Sequence, residues 1–208
     1  WQEIVTTMEA RYGKADRIWC GDRGMMSKEN LEFMQSGHRK YIIGASKSTL
    51  KKFEQQLLQD DWKTIRDGLE VKRCPSPEGE KETYILCRSR DRKEKEKAMH
   101  ERFEKRIDEG LASLARRLDK AKKEPNRSQV ERQIGRLLER NSRAAGLFGI
   151  RVKQIKREHG PGLKVTWSKD ETWRQWAALS EGCYMLRTNL TDWSAQDLWR
   201  TYIQLTQA

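Results

Sequence analysis

The 208-residue sequence is short of most features that settle a protein's class at a glance. No apolar run approaches the ~18 residues that span a bilayer, so no transmembrane helix and no membrane partner are expected. The opening residues show no signal-peptide pattern, which points to a cytoplasmic protein. The four cysteines, Cys20, Cys74, Cys87 and Cys183, are scattered without a CxxC pair. They read as reduced thiols, neither a disulfide framework nor a zinc site. His38, His100 and His159 form no HExxH, and there is no Walker-type loop or GxSxG elbow. Hydrophobic residues make up 36%, below the usual ~45–50%, so one large core is not expected. A small core with long solvated elements fits better. Eight tryptophans exclude a wholly disordered chain.

What is abundant is charge, and it is unevenly placed. Residues 88–157 hold 23 Lys+Arg against 11 Asp+Glu, and the remainder holds 20 of each. The whole net charge of +12 therefore sits in one central stretch. Such a block either meets a polyanion or solvates a long helix. Both readings stand on composition alone.

The apolar pattern predicts helix, strand, helix, strand, helix over the first third. Ile4, Met8 and Tyr12 recur at helical spacing, with Gly13 as a stop. Residues 17–21 read as a buried strand ending in the turn Asp22-Arg23-Gly24. Ser27 should cap a helix bearing Leu31 and Met34. Tyr41-Ile42-Ile43 should form a second buried strand. Ser48 should cap a helix through Phe53, Leu57 and Leu58. This order favours a layered α/β sheet.

After Gly68, residues 69–74 and 83–89 read as strands joined by a Pro75–Gly79 turn. From Arg92 a long helix carries Met99, Phe103, Ile107, Leu111, Leu114 and Leu118 as one narrow stripe. Ser128 and Glu131 suggest a capping box for a second helix bearing Val130, Ile134, Leu137 and Leu138. Together they predict an antiparallel helical hairpin. Phe148, Ile150 and Val152, then Leu163, Val165 and Trp167, alternate as a β-hairpin about His159-Gly160-Pro161-Gly162. Trp173 and Trp176 should lie on a short helix, where core packing is preferred to base stacking. Cys183 to Leu186 should be a strand, and Ser194 should cap a last helix with Leu198, Tyr202 and Leu205. With no initiator Met and no final stop signal, both ends read as cut.

Asp22 is the candidate catalytic residue. It sits at the carboxyl end of a predicted strand, where α/β sheets place ligand groups, and its hard oxygens suit Mg²⁺. Taken alone, on composition, Asp22-Arg23-Gly24 reads first as a plain turn. The segment Ile18-Trp19-Cys20-Gly21-Asp22-Arg23-Gly24-Met25-Met26-Ser27 resembles the region around the second acidic residue of bacterial insertion-sequence DDE transposases. Tyr41-Ile42-Ile43-Gly44-Ala45, Tyr84-Ile85-Leu86-Cys87-Arg88-Ser89 and Glu181-Gly182-Cys183-Tyr184-Met185-Leu186-Arg187-Thr188-Asn189-Leu190 are also similar to that group. The resemblance spans essentially the whole chain.

The resemblance implies a partial ribonuclease-H-like core, residues 1–67 and 181–208, interrupted by an insertion over 68–180. It implies DNA strand cleavage and transfer with two Mg²⁺ (or Mn²⁺) ions held by an Asp–Asp–Glu set, of which Asp22 is the second member. The first Asp is then expected upstream of Trp1. These transposases carry a Tyr-x2-Arg-x3-Glu-x6-Lys signature, and Tyr202 fits its Tyr. The Glu then falls just after Ala208, and Leu205 stands where the Arg would be. The chain is thus expected to be an internal fragment, inactive alone. Transposon-end DNA is the expected partner, with a homodimer of the full-length protein left open. Expected phosphate contacts are Arg23 and Tyr202 near Asp22, and Arg102, Lys105, Arg106, Arg116, Arg117, Arg132, Arg136 and Arg140 on the helices. The alternative is a non-catalytic DNA-binding relic or inhibitor that acts through the hairpin.

Overall fold

A computed structural model describes residues 1–204 other than 26, 78, 80 and 159. The chain forms two compact units, one of Trp1–Lys93 with Gly182–Ala208 and one of Glu94–Glu181.

The first unit opens with α1 (Gln2–Tyr12), stopped at Gly13 by a positive φ of 74°. The expected face of α1 is not the buried one. Ile4 and Tyr12 are 55% exposed and Met8 37%, while Val5 is fully buried. Val5 packs with Met34, Tyr41 and Ile43, so α1 meets the sheet through a face rotated by one residue. β1 (Ile18–Gly21), α2 (Lys28–Ser36) and β2 (Lys40–Gly44) follow as a βαβ unit. The Ser27 hydroxyl accepts from Asn30 N at 3.1 Å and caps α2, a bond that stabilises by about 1 kcal/mol. β1 and β2 run parallel, with Gly21 opposite Ile43.

A 3-10 segment over Lys47–Phe53 and α3 (Glu54–Leu58) come next. Ser46 caps this segment in place of the expected Ser48. Ala45 N still bonds Met185 O, so extended backbone persists up to Ser46 and the turn begins there. Phe53 and Leu57 are buried, but Leu58 is 67% exposed because the short helix presents a single face. β3 (Lys63–Arg66), β4 (Leu69–Pro75) and β5 (Thr83–Ser89) then form an antiparallel meander.

In the second unit, α4 (Arg90–Asp119) presents Ile107, Leu111, Leu114 and Leu118 to a core shared with Val130 and Ile134 of α5 (Arg127–Arg140). The two helices are antiparallel. Leu137 fills the space that a Cβ on Gly110 would take, 2.7 Å away, and Arg117 bonds Gln133. Asn126, not Ser128, caps α5, its Oδ1 accepting from Gln129 N at 3.1 Å. Glu131 instead pairs with Arg127 at 2.8 Å, one turn away. After α6 (Ser142–Ala145), β6 (Phe148–Arg157) and β7 (Gly160–Lys169) form the expected hairpin, with Val152 opposite Val165. His159 lies outside the described residues.

α7 (Glu171–Ser180) is capped by Asp170. Trp173 packs into the core, its Nε1 2.6 Å from the Cβ position of Gly146, and it meets His100 edge-on at 5.7 Å. The His100 ring lies 2.8 Å from Glu181.

β8 (Cys183–Thr188) and α8 (Ala195–Ile203) return to the first unit. The six-stranded sheet has the order β1-β2-β8-β5-β4-β3, parallel only between β1 and β2. Alternation divides its faces. Ile42, Val71, Ile85 and Leu186 meet Leu198 and Trp199 of α8, while Tyr41 and Ile43 meet α1 and α2. The strands over 69–75 and 83–89, grouped with the insertion on sequence, belong to this sheet because their apolar faces continue the core of β8. The architecture is mixed α/β. No helix among the described residues is long and apolar enough to cross a membrane.

Candidate functional site

β1 and β2 end side by side at Gly21 and Gly44, and Asp22 stands just past the end of β1. Asp22 is exposed. Its Oδ1 accepts from Gly24 N at 2.8 Å and Met25 N at 3.1 Å, which closes the 3-10 turn over Arg23–Met25. Oδ2 accepts no hydrogen bond from any described residue. One oxygen is therefore structural and the other is available.

Tyr202 reaches the same strand ends from α8. Its hydroxyl lies 3.0 Å from where a Cβ on Gly44 would be, and Arg23 N lies 3.2 Å from the same point. Gly44 is thus the opening through which the hydroxyl meets the Asp22 turn. Burial pushes the Tyr202 hydroxyl up, the Asp22 charge pushes it further, and Arg92 opposes them. Arg92, in the first turn of α4, stacks over the Tyr184 ring at 4.3 Å. Arg23 is exposed. The structure brings Asp22, Arg23 and Tyr202 together and adds Gly44 and Arg92. Gly44 was legible only as part of a predicted strand, and its role depends on α8. Arg92 was legible only as one more charge in a basic run.

The segment Leu186-Arg187-Thr188-Asn189-Leu190 has a structural task. Thr188 Oγ1 donates to Tyr41 O at 2.6 Å, Asn189 Oδ1 accepts from Tyr41 N at 3.0 Å, and Asn189 Nδ2 donates to Arg39 O at 2.9 Å. Arg187 Nε donates to Glu82 at 2.8 Å, and the Tyr41 hydroxyl also donates to that carboxylate. The Glu82 side chain is 2% exposed. Burial, then the Glu82 contact, push the Tyr41 hydroxyl well above its ordinary range. These side chains lock β2 against β8. Glu82 lies between turn and strand, without a pattern that could have revealed it.

The remaining basic candidates, Arg102, Lys105, Arg106, Arg116, Arg117, Arg132, Arg136 and Arg140, are all exposed in the second unit. Arg132, Arg136 and Arg140 recur every four residues on the side of α5 opposite Val130 and Ile134, and none is ion-paired to a described residue. Four residues of helix rise about 6 Å, close to the ~6.8 Å that two phosphates of one DNA strand advance along the axis. Lys105 lies 3.9 Å from Glu109, and Arg117 bonds Gln133, so α4 offers fewer unengaged cations.

Among the described residues, no group of three or more His, Cys, Asp or Glu side chains is placed to hold a metal ion. Asp22 fits one oxygen ligand of a hard cation, and these residues do not make up a two-ion site. All four cysteines are free. Burial raises the Cys20, Cys74 and Cys87 thiols, Cys74 to about 11, so they stay protonated and unreactive near neutrality. Comparison with family models, curated proteins and solved structures finds no match for the chain.

Proposed function

We propose that the chain is the central part of a DDE-type transposase that cleaves and joins DNA, with a ribonuclease-H-like core in the first unit and a DNA-gripping insertion in the second. The observation that carries this reading is the meeting of Arg23 and the Tyr202 hydroxyl over Gly44, beside the open oxygen of Asp22. A phosphate at this corner would find the backbone of Arg23, the Tyr202 hydroxyl and a carboxylate oxygen suited to Mg²⁺ or Mn²⁺, with the exposed Arg23 side chain on the adjoining turn. A cation bound there would neutralise charge on the phosphate. Arg23 and Tyr202 would orient the backbone, and in the second unit the arginine line on α5 would bind duplex phosphates.

A non-catalytic DNA-binding role, with the chain acting as an inhibitor, is favoured by one fact. The Asp22 Oδ1 is engaged in closing its own turn, as in an ordinary structural Asp. Two measurements separate the readings. Duplex DNA titrated into the chain should bind with strong salt dependence, and the triple variant R132A/R136A/R140A should lower the salt slope by about 2–3. Mn²⁺ should broaden NMR signals around residues 21–25, and Asp22→Asn should abolish this without weakening DNA binding. DNA binding with no Mn²⁺ effect would select the non-catalytic role. No DNA binding at low salt would end both readings.

A further inference from the structure

The two strands of the β6–β7 hairpin are not equally covered. Leu163 and Val165 on β7 are each 4% exposed, whereas Ile150 and Val152 on β6 are only half-buried. β6 pairs with β7 alone, so among the described residues its outer edge has no strand partner. A groove of about 710 Å³ runs between α5 and β6. Ile134, Leu138, Phe148, Ile150 and Val152 supply its apolar lining, and the exposed Arg151 and Lys153 its charged one.

Gly135 also lines this groove, and nothing lies within 4 Å of a Cβ placed on it. A glycine inside a helix costs about 1 kcal/mol relative to alanine. Gly110 offsets that cost by admitting Leu137, but no described residue comes within 4 Å of the space at Gly135. An occupant approaching α5 closely would use it.

The occupant's chemistry follows from the walls. A row of unpaired strand N–H and C=O groups beside an apolar floor suits an extended peptide, not a duplex. A second copy pairing antiparallel through β6 would set Arg151 and Lys153 near their own equivalents, and facing like charges are destabilising. Neither residue is ion-paired to a described residue, and Glu131, the carboxylate lining the groove, is held by Arg127 at 2.8 Å. Charge complementarity therefore selects an acidic strand.

We propose that this groove binds an extended segment of a partner protein with alternating apolar and acidic residues, added to β6 as a third strand. One set of its side chains enters the apolar floor and the other faces Arg151 and Lys153. The site is separate from the proposed DNA face. Arg127, Glu131, Gly135 and Leu138 share one side of α5, and Arg132, Arg136 and Arg140 lie on another.

The test uses the whole chain and a labelled peptide as long as the 10 residues of β6, alternating valine and glutamate. A peptide of the same composition with the alternation broken serves as control. Fluorescence anisotropy should show saturable binding that weakens with salt, with the control at least about tenfold weaker. R151E/K153E should weaken binding by about tenfold or more. Gly135→Leu should do the same by filling the groove, with helical circular dichroism retained since leucine is a good helix former. If Gly135→Leu unfolds the unit, the exposed charge-reversal pair still decides. Equal binding of the control peptide, or unchanged binding by R151E/K153E, would overturn the proposal. So would Gly135→Leu weakening duplex DNA in place of the peptide.

Discussion

In the second unit every main pairing joins neighbours in sequence, α4 with α5 and β6 with β7. In the first unit β8 inserts between β2 and β5, so its sheet closes only when the chain returns after residue 181. The sheet of the first unit therefore depends on strands distant in sequence, whereas the backbone pairings of the second are local and are joined through one core shared by Ile107, Val130 and Leu163. Their polar groups differ in the same sense. The Glu82–Arg187 pair is buried between strands, while the Lys169–Glu104 and Arg174–Glu104 pairs, each 2.8 Å, are only partly covered. One unit is held by a few deep, long-range locks. The other joins a helical hairpin and a β-hairpin through one core, and its surface carries the charge.

The severest challenge to this contrast is truncation after Glu181. Loss of β8 should unfold the first unit and leave the second intact, seen as loss of dispersed β-sheet NMR signals with the α4–α5 helicity retained. If both units unfold together, the second does not fold independently of β8. A smaller effect is expected from Glu82→Ala, which removes the buried carboxylate that Arg187 and the Tyr41 hydroxyl share. It should cost about 3–5 kcal/mol in denaturant unfolding of the first unit, with the second unaffected. A cost below about 1 kcal/mol would mean that water reaches the pair.

The smallest effect concerns pH. Burial raises the Glu104 carboxyl, but hydrogen bonds from Lys169 and Arg174 outweigh it and leave it below its ordinary value of 4.5. A depressed carboxyl contributes stability that is present above 4.5 and lost as pH falls through the folded-state value. Thermal unfolding of the second unit should thus soften in acid, and Glu104→Gln should flatten that dependence. An unchanged acid profile in the variant would assign the softening to other groups.

Much of the local structure was legible because periodicity and capping are local physics. The α4 stripe, the β6–β7 alternation, and the caps at Ser27 and Ser194 all stood as read. The misses came where tertiary contacts competed or, at the start of α5, where a neighbouring side chain did. Ser46 displaced Ser48 because strand pairing ran through Ala45. Asn126 displaced Ser128 at the start of α5, and Glu131 pairs with Arg127. Ile4, Met8 and Tyr12 satisfied the helical period, yet α1 was turned by the position of Met34 and Tyr41. In the candidate site, Asp22 and Tyr202 could be named from pattern and resemblance. Their approach over Gly44 could not, since it requires α8 to lie across the ends of β1 and β2.

The sequence by itself determined most of the helices and strands, though not β3 or α6, as well as where the charge concentrates and which carboxylate ends a strand. These follow from side-chain spacing and from groups within a few residues of each other. Only the tertiary structure decided that β8 lies between β2 and β5, that Glu82 is locked to Tyr41 and Arg187, and that the edge of β6 stays open beside Gly135. Strand order and burial depend on which apolar faces find each other across long stretches of chain. That choice is made by the whole packed core, which no local pattern encodes.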